Sequence, residues 1–216
     1  MIQWSEIRTV LLDMDGTLLD LHFDNHFWLE YMPRRFAQER SISLEDARGE
    51  LLSRYKQVEG TMDWYCLDYW TDKLGMDVAA LKEEVDHLIA VHPKVVEFLE
   101  AVRRSDRRVV LVTNAHMKSL SLKMERTQLA GYFDSIICSH DMGIPKENPN
   151  FWDKLQAVEP FDRKKALLVD DSLPVLRSAQ RYGMGSLLCV HQPDSRLPDK
   201  DVEGFAAIRS FEDIMP

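Results

Sequence analysis

The sequence predicts an α/β protein, a doubly wound parallel sheet carrying an inserted helical block, and three observations lead there. Short unbroken apolar runs alternate with helical patterns from residue 93 onward, residues 18–92 show helical periodicity alone, and the apolar run Thr9-Val10-Leu11-Leu12 stands before that helical block. Residues 1–17 and 93–216 are therefore expected to form the α/β core and residues 18–92 a helical cap. At 216 residues and 45% hydrophobic content the chain is long enough for one full core plus such a module.

The elements follow in order. Thr9-Val10-Leu11-Leu12 reads as a buried strand. In the inserted block, Phe23, Phe27 and Tyr31 recur at four-residue steps. Ser43 can cap a helix carrying Leu44, Ala47, Leu51, Leu52 and Tyr55 on one face. Leu67, Trp70 and Leu74 form a third pattern with Gly75 as its C-cap, and Val78, Leu81, Val85 and Leu88 a fourth, so a small four-helix bundle is expected. Pro93 fits a helix first turn, with Val95, Val96, Leu99 and Val102 on the apolar side. Strand-like Val109-Val110-Leu111-Val112, a helix through Met117, Leu120 and Met124, strand-like Ile136-Ile137-Cys138 and a helix around Phe151, Trp152 and Leu155 come next. Ala166-Leu167-Leu168-Val169, a helix from about Pro174 to Tyr182, and Leu187-Leu188-Cys189-Val190 complete the alternation.

Composition excludes several classes of function. A net charge of -9 and a pI near 5.3 repel a nucleic-acid backbone or an anionic membrane, so the expected partner is a small molecule. Arg103, Arg104, Arg107 and Arg108 cluster locally, and are read as solvated cations at a helix C-terminus. The N-terminal residues lack the pattern of a signal peptide and no apolar run reaches the ~18 residues of a membrane span, which makes a cytoplasmic location the expectation. Cys66, Cys138 and Cys189 are an odd number at wide spacing, indicating neither a disulfide framework nor a zinc knuckle. His22 and His26 have metal-like spacing without acid or thiol ligands nearby and are read as solvated or hydrogen-bonded. The sequence specifies no oligomeric state.

The polar residues at the strand ends carry the chemistry. In an extended backbone Asp13 and Asp15 share a face, Met14 points to the core, and Gly16 allows a sharp turn. Two acids alone are equally consistent with an acidic surface turn. Thr113 and Asn114 follow the second strand, Lys146 lies in a loop past the third, and Asp170 and Asp171 follow the fourth. In a doubly wound sheet those ends share one edge, where carboxylates, a hydroxyl and an ammonium converge. That set suits a phosphoryl group: a hard cation such as Mg²⁺ held by the acids, with Lys146 beside it, reverses the local negative sign. A carboxylate can then attack phosphorus while a second one protonates the leaving oxygen and later activates water.

Asp13-Met14-Asp15-Gly16-Thr17, Thr113-Asn114, Lys146 and Val169-Asp170-Asp171-Ser172 resemble the four motifs of haloacid dehalogenase-like hydrolases, whose core is Rossmann-like and whose helical cap follows the first strand. The resemblance spans the chain. It implies Asp13 as nucleophile, Asp15 as general acid/base, and Thr113 and Lys146 as phosphate binders, while backbone amides near Asn114 can also hold phosphoryl oxygens. It further implies Mg²⁺ held by Asp13, the Asp15 backbone carbonyl and Asp171, with Asp170 acting through water. A second acid at the Asp15 position is similar to the family's phosphatases and mutases.

Phe23-Asp24-Asn25 with Phe27-Trp28, Trp64 to Trp70, Thr113-Asn114-Ala115-His116 and Gly143-Ile144-Pro145-Lys146-Glu147 resemble the bacterial GMP/IMP nucleotidases of that superfamily. Glu147 stands where most relatives have proline, as in that subgroup. The resemblance implies a 5'-nucleotidase of purine nucleoside monophosphates; within the inserted block Asp24 and Asn25 have the chemistry to hydrogen-bond a ribose or base edge, and Trp64 or Tyr65 can offer a stacking face. A phosphomutase using the same residues, a sugar-phosphate phosphatase, or a phospho-ligand binding module without turnover are the alternatives.

Overall fold

In the computed structural model, which describes residues 2–216, Thr9-Val10-Leu11-Leu12 is buried at every position because it lies at the interior of a sheet covered on both faces. The strands are β1 (Thr9–Leu12), β2 (Arg108–Thr113), β3 (Ser135–Cys138), β4 (Ala166–Asp170), β5 (Ser186–Val190) and β6 (Ala207–Ile208). Their order is β3-β2-β1-β4-β5-β6 and every pairing is parallel. The helices are α1 (His22–His26), α2 (Met32–Arg40), α3 (Leu44–Val58), α4 (Met62–Tyr65), α5 (Leu67–Leu74), α6 (Val78–Glu83), α7 (Val95–Arg103), α8 (Met117–Thr127), α9 (Phe151–Val158) and α10 (Leu173–Tyr182).

Strand alternation divides the apolar residues between two layers. Val10, Leu12, Val109, Leu111, Leu167 and Val169 face a layer built with Phe98, Leu99 and Val102 of α7 and Leu120 of α8. Leu11, Val110, Val112 and Leu168 face Phe151, Trp152 and Leu155 of α9 and Val175, Leu176 and Ala179 of α10. The sixth strand was not expected: Ala207-Ile208 is too short to show a period, and it is recruited by pairing with Cys189 and Val190.

The helical block has a core of its own, in which Phe23, Phe27, Phe36, Leu51, Trp70, Leu74 and Leu81 are buried together. Its two connections run side by side. Leu19 pairs antiparallel with Val91, Asp20 N donates to Ala90 O at 2.9 Å, and His92 N donates to Leu18 O at 2.9 Å. Ser43 caps α3 by accepting from Asp46 N at 3.1 Å, and Gly75 ends α5 at φ +68°, both as expected.

Three local differences separate the structure from the expectation. The aromatic repeat of Phe23, Phe27 and Tyr31 runs through α1 into a π-helical turn, Phe27–Tyr31, before α2. Pro33 lacks the N–H that would bond to Leu29, so the helical ladder cannot continue regularly there. The fourth expected helix stops at Glu83 and resumes as a 3₁₀ turn over Asp86–Leu88, while Met62–Tyr65 adds the short α4. The helix expected from Pro93 begins at Val95.

The arginines at the end of α7 and just after it do not form one basic surface. Arg107 donates to Trp4 O at 2.6 Å, Arg108 pairs with Glu159, and Arg103 donates to Gly131 O. Among the described residues no helix is long and apolar enough to cross a membrane.

Candidate active site

The first four strands end on one edge of the sheet, and their terminal residues meet in a cavity of about 370 Å³. That volume is within the usual range for small-molecule sites. Asp13, Asp15, Thr113, Asn114, Lys146, Asp170 and Asp171 all line it from the core. Asp24, Asn25, Trp28, Trp64, Tyr65 and Trp70 line it from the helical block.

Lys146 is the hub on the core side. Its buried Nζ lies 2.6 Å from Asp13 Oδ1, 2.7 Å from Asp170 Oδ2 and 3.0 Å from Val112 O. Desolvation opposes a buried ammonium, but the two carboxylates outweigh it and raise the Lys146 pKa. The lysine is held by its neighbour's side chains: Asn114 Oδ1 accepts from Lys146 N at 3.0 Å, and Asn114 Nδ2 donates to Glu147 Oε2 at 2.9 Å. Both ends of the Asn114 amide are thus engaged within the protein. Its side chain braces the Lys146 loop instead of standing free for a phosphoryl group. Tyr65 of α4 donates to Glu147 Oε1 at 2.5 Å, extending that brace into the helical block.

Asp13, Asp170 and Asp171 each place a carboxylate oxygen within 4.8 Å of the others. Burial pushes the Asp13 carboxyl up to about 6, against the attraction of Lys146. Burial, then the charges of Asp13 and Asp170, raise Asp171 well above the carboxylate range. Asp170 is the more engaged member, accepting from Lys146 and from Ser172 N at 2.9 Å, whereas the cation nearest Asp171 is Lys200 at 3.8 Å. Three acids around one buried lysine leave excess negative charge in an oxygen-only donor set, which fits a hard divalent cation. Gly16, at φ +81°, shapes the floor: a Cβ there would lie 2.8 Å from Asp171 Cγ. No L side chain fits that position without displacing the acid.

A second network lies beside the first. Lys123 of α8, fully buried, sits 2.6 Å from Asp15 Oδ1 and 2.7 Å from Asp24 Oδ2, while Lys82 of α6 holds Asp24 Oδ1 at 2.6 Å. The two lysines keep Asp24 ionised and drive its pKa far down despite burial. Burial raises Asp15 to about 6, opposed by Lys123. Asp24, expected as a ribose or base contact, lines the cavity with each of its oxygens paired to a lysine. Asn25 is also tied, donating to Asp194 Oδ2 at 2.8 Å. Trp64 keeps a face on the cavity and stands edge-on to Tyr55 at 5.8 Å. Thr113 Oγ1 accepts from Ala115 N at 3.0 Å, fixing the turn after β2.

Residues 7–183 match the haloacid dehalogenase-like hydrolases. The chain belongs to that family. It is an enzyme, a hydrolase of the phosphatase kind. It is 34% identical over 215 residues to the GMP/IMP nucleotidase YrfG of Escherichia coli, an alignment covering 100% of this chain and 97% of that protein. Over 109 residues, 48% of each chain, it is 29% identical to the pyrimidine 5'-nucleotidase YjjG of the same organism. Its fold matches a HAD phosphatase from Thermococcus onnurineus with TM-score 0.81 at 24% identity, covering 96% of this chain and 95% of that one. YfnB from Bacillus subtilis, solved with magnesium bound, has TM-score 0.65 at 18% identity and 96% coverage of both chains.

Lys123 and Lys82 complete the site without standing out as site residues in the sequence, while Tyr65, expected as a stacking face, braces Glu147. A signal was present: Lys123 lies between Leu120 and Met124 on the apolar face of α8, and Lys82 beside Leu81 on that of α6. A lysine on the buried stripe of a helix needs a charged partner.

Proposed function

We propose that the protein is a Mg²⁺-dependent 5'-nucleotidase that hydrolyses purine nucleoside monophosphates such as GMP and IMP through an aspartyl-phosphate. The observation that carries this reading is the buried cluster of Asp13, Lys146, Asp170 and Asp171 at the floor of a cavity whose upper wall holds Trp28, Trp64 and Trp70. The full-length likeness to a protein named GMP/IMP nucleotidase supports the choice of substrate.

Asp13 attacks the phosphorus, and the bond to the ribose 5' oxygen breaks as Asp15 supplies the proton that oxygen needs. An Asp15 carboxyl raised to about 6 by burial suits proton exchange near neutrality. Asp15, now a base, takes a proton from water as that water attacks the phosphorylated Asp13 and frees inorganic phosphate. Lys146 orients Asp13 throughout and balances charge on the phosphoryl oxygens. Asp13, the Asp15 carbonyl and Asp171 would hold Mg²⁺, with Asp170 supporting through water; the ion supplies charge neutralisation at the phosphoryl group. Residues 18–92 act as the cap that carries specificity, since a phosphate-sized floor cannot distinguish one ester from another.

A phosphate-release screen across purine and pyrimidine monophosphates, sugar phosphates and p-nitrophenyl phosphate tests this directly. Highest kcat/KM on GMP or IMP is expected. Preference for a sugar phosphate would overturn the substrate assignment, and transfer of phosphate to a second sugar position without release would identify a mutase.

A further inference from the structure

Away from the carboxylates, three nitrogen and sulfur ligands meet where the helical block faces the core. Cys66 lies between α4 and α5, His116 is the N-cap residue of α8, and His140 sits in the 3₁₀ turn that follows β3. Each places one ligand atom within 4.8 Å of the other two. The two imidazoles stand edge to face with ring centroids 5.0 Å apart.

The hydrogen bonds leave this group with spare capacity to ligate. Cys138 gives its S–H to Ala115 O at 3.1 Å, so its sulfur can only accept from His140 Nδ1, 3.6 Å away. That fixes the His140 proton on Nδ1 and leaves a lone pair on Nε2, which is buried without a hydrogen-bond partner among the described residues. A buried unpartnered nitrogen is costly in an ordinary interior and useful as a metal ligand. His116 is held loosely: Nδ1 accepts a long 3.4 Å contact from Lys118 N, and Nε2 lies 3.7 Å from Asp68 Oδ2. Cys66 Sγ accepts from Tyr69 N at 3.4 Å, which leaves its S–H without an acceptor of its own.

We propose that Cys66, His116 and His140 form a second metal site, one that takes Zn²⁺ and fastens the helical block to the core. Thiolate and imidazole donors favour zinc over magnesium, and Asp68 or a water completes four-coordination. Ligand atoms around tetrahedral zinc lie roughly 3.3–3.7 Å apart, so the cluster reaches that geometry by small side-chain rotations. The Zn–S bond forms as the Cys66 S–H proton passes to solvent. Two of the ligands come from the core and one from the helical block. Cys66 is also the residue after Tyr65, which is tied to Glu147, and His116 lines the catalytic cavity. Zinc therefore holds the cavity's two walls together and slows exchange of substrate and product. The binding site stands independently of the reaction assigned above; its effect on rate rests on that reading.

Cobalt(II) is the probe, added to untagged, magnesium-loaded protein. One Co²⁺ per chain is expected, with a thiolate-to-cobalt charge-transfer band in the near ultraviolet that Zn²⁺ abolishes by displacement. Cys66→Ser retains an oxygen acceptor at the helix N-cap and so keeps the fold, with an unchanged melting temperature as the check. It should lose the band, and His140→Gln should weaken Co²⁺ binding by at least about tenfold. Absence of the band in the unaltered protein, or its persistence in Cys66→Ser, overturns the site. With Mg²⁺ saturating, Zn²⁺ should slow phosphoester turnover about fivefold or more in the unaltered protein and far less in Cys66→Ser. Equal slowing in both would place zinc's action at the carboxylates and overturn the fastening role.

Discussion

Lys146 and Lys123 are both fully buried and each holds two carboxylates, yet they are assembled from different parts of the molecule. Lys146, from the loop after β3, joins Asp13 and Asp170 at the ends of β1 and β4, so its network is built from the sheet edge. Lys123 joins Asp15 of the core to Asp24 of the helical block, where Lys82 reinforces it. The Lys123–Asp15 pair lies within the core, and the Asp24 arm of the network reaches across to the helical block. In the proposed mechanism the nucleophile Asp13 is positioned by core residues, whereas the acid/base residue Asp15 shares its lysine with Asp24 of the helical block. A division of this kind lets proton transfer be switched with closure while phosphate binding stays constant.

Removing the nucleophile should give the largest effect. Asp13→Asn keeps its volume and its place beside Lys146 but cannot attack phosphorus, so kcat should fall roughly 10⁴-fold or more with the fold intact. Near-normal phosphate release from the folded variant would end the mechanism. The comparison itself is broken by the two lysines. Lys146→Met and Lys123→Met each strand buried carboxylates, at a cost of about 3–5 kcal/mol. Mg²⁺ should restore much of the lost stability in Lys146→Met, because the ion binds the same acids, and little in Lys123→Met. Thermal unfolding with and without Mg²⁺ reads the difference; equal rescue would merge the two networks into one.

The pH dependence sets Asp13 and Asp15 against Asp24, with opposite signs. Asp13 and Asp15 carry folded-state values raised to about 6, above the ordinary carboxylate range. The folded protein then binds more protons than the unfolded chain between about pH 4 and pH 6, and these groups make the metal-free protein less stable as pH rises through that window. Asp24, driven far down by Lys123 and Lys82, contributes stability that is complete above the ordinary carboxylate range and lost only as pH falls well below it. Chemical denaturation of metal-free protein from about pH 7 down to pH 5 should therefore show a gain in stability, which saturating Mg²⁺ removes. A monotonic loss over that interval would contradict the raised values.

Smaller effects sharpen the picture within each region. Asp171→Ala should raise the Mg²⁺ concentration needed for half-maximal rate more than Asp170→Ala, since Asp170 is already engaged by Lys146 and Ser172 N. Magnesium titrations of the two variants decide it, and equal requirements would reject the assignment. On the other wall, Trp64→Leu should lower kcat/KM for GMP by the equivalent of about 1–3 kcal/mol with little change for p-nitrophenyl phosphate. Parallel losses on both substrates would return Trp64 to a packing role.

Much of this molecule is legible from residue order because it depends on local periodicity. The unbroken apolar strands, the helical stretch between them and the acids at the strand ends all follow from the chain's own pattern, and a parallel sheet brings those ends to one edge. That reasoning reached Asp13, Asp15, Thr113, Lys146, Asp170 and Asp171, because each adjoins or follows a strand. It reached neither Lys123 nor Lys82, whose partners are distant in sequence: Lys123 and Asp24 are 99 residues apart, and Lys82 and Asp24 are 58. The same distance hid the meeting of Cys66, His116 and His140, each unremarkable in its own segment. Periodicity specifies which face a residue occupies. Only the docking of the helical block on the sheet decides which charges and ligands share that face, because burial sets their electrostatic partners after the layers have met.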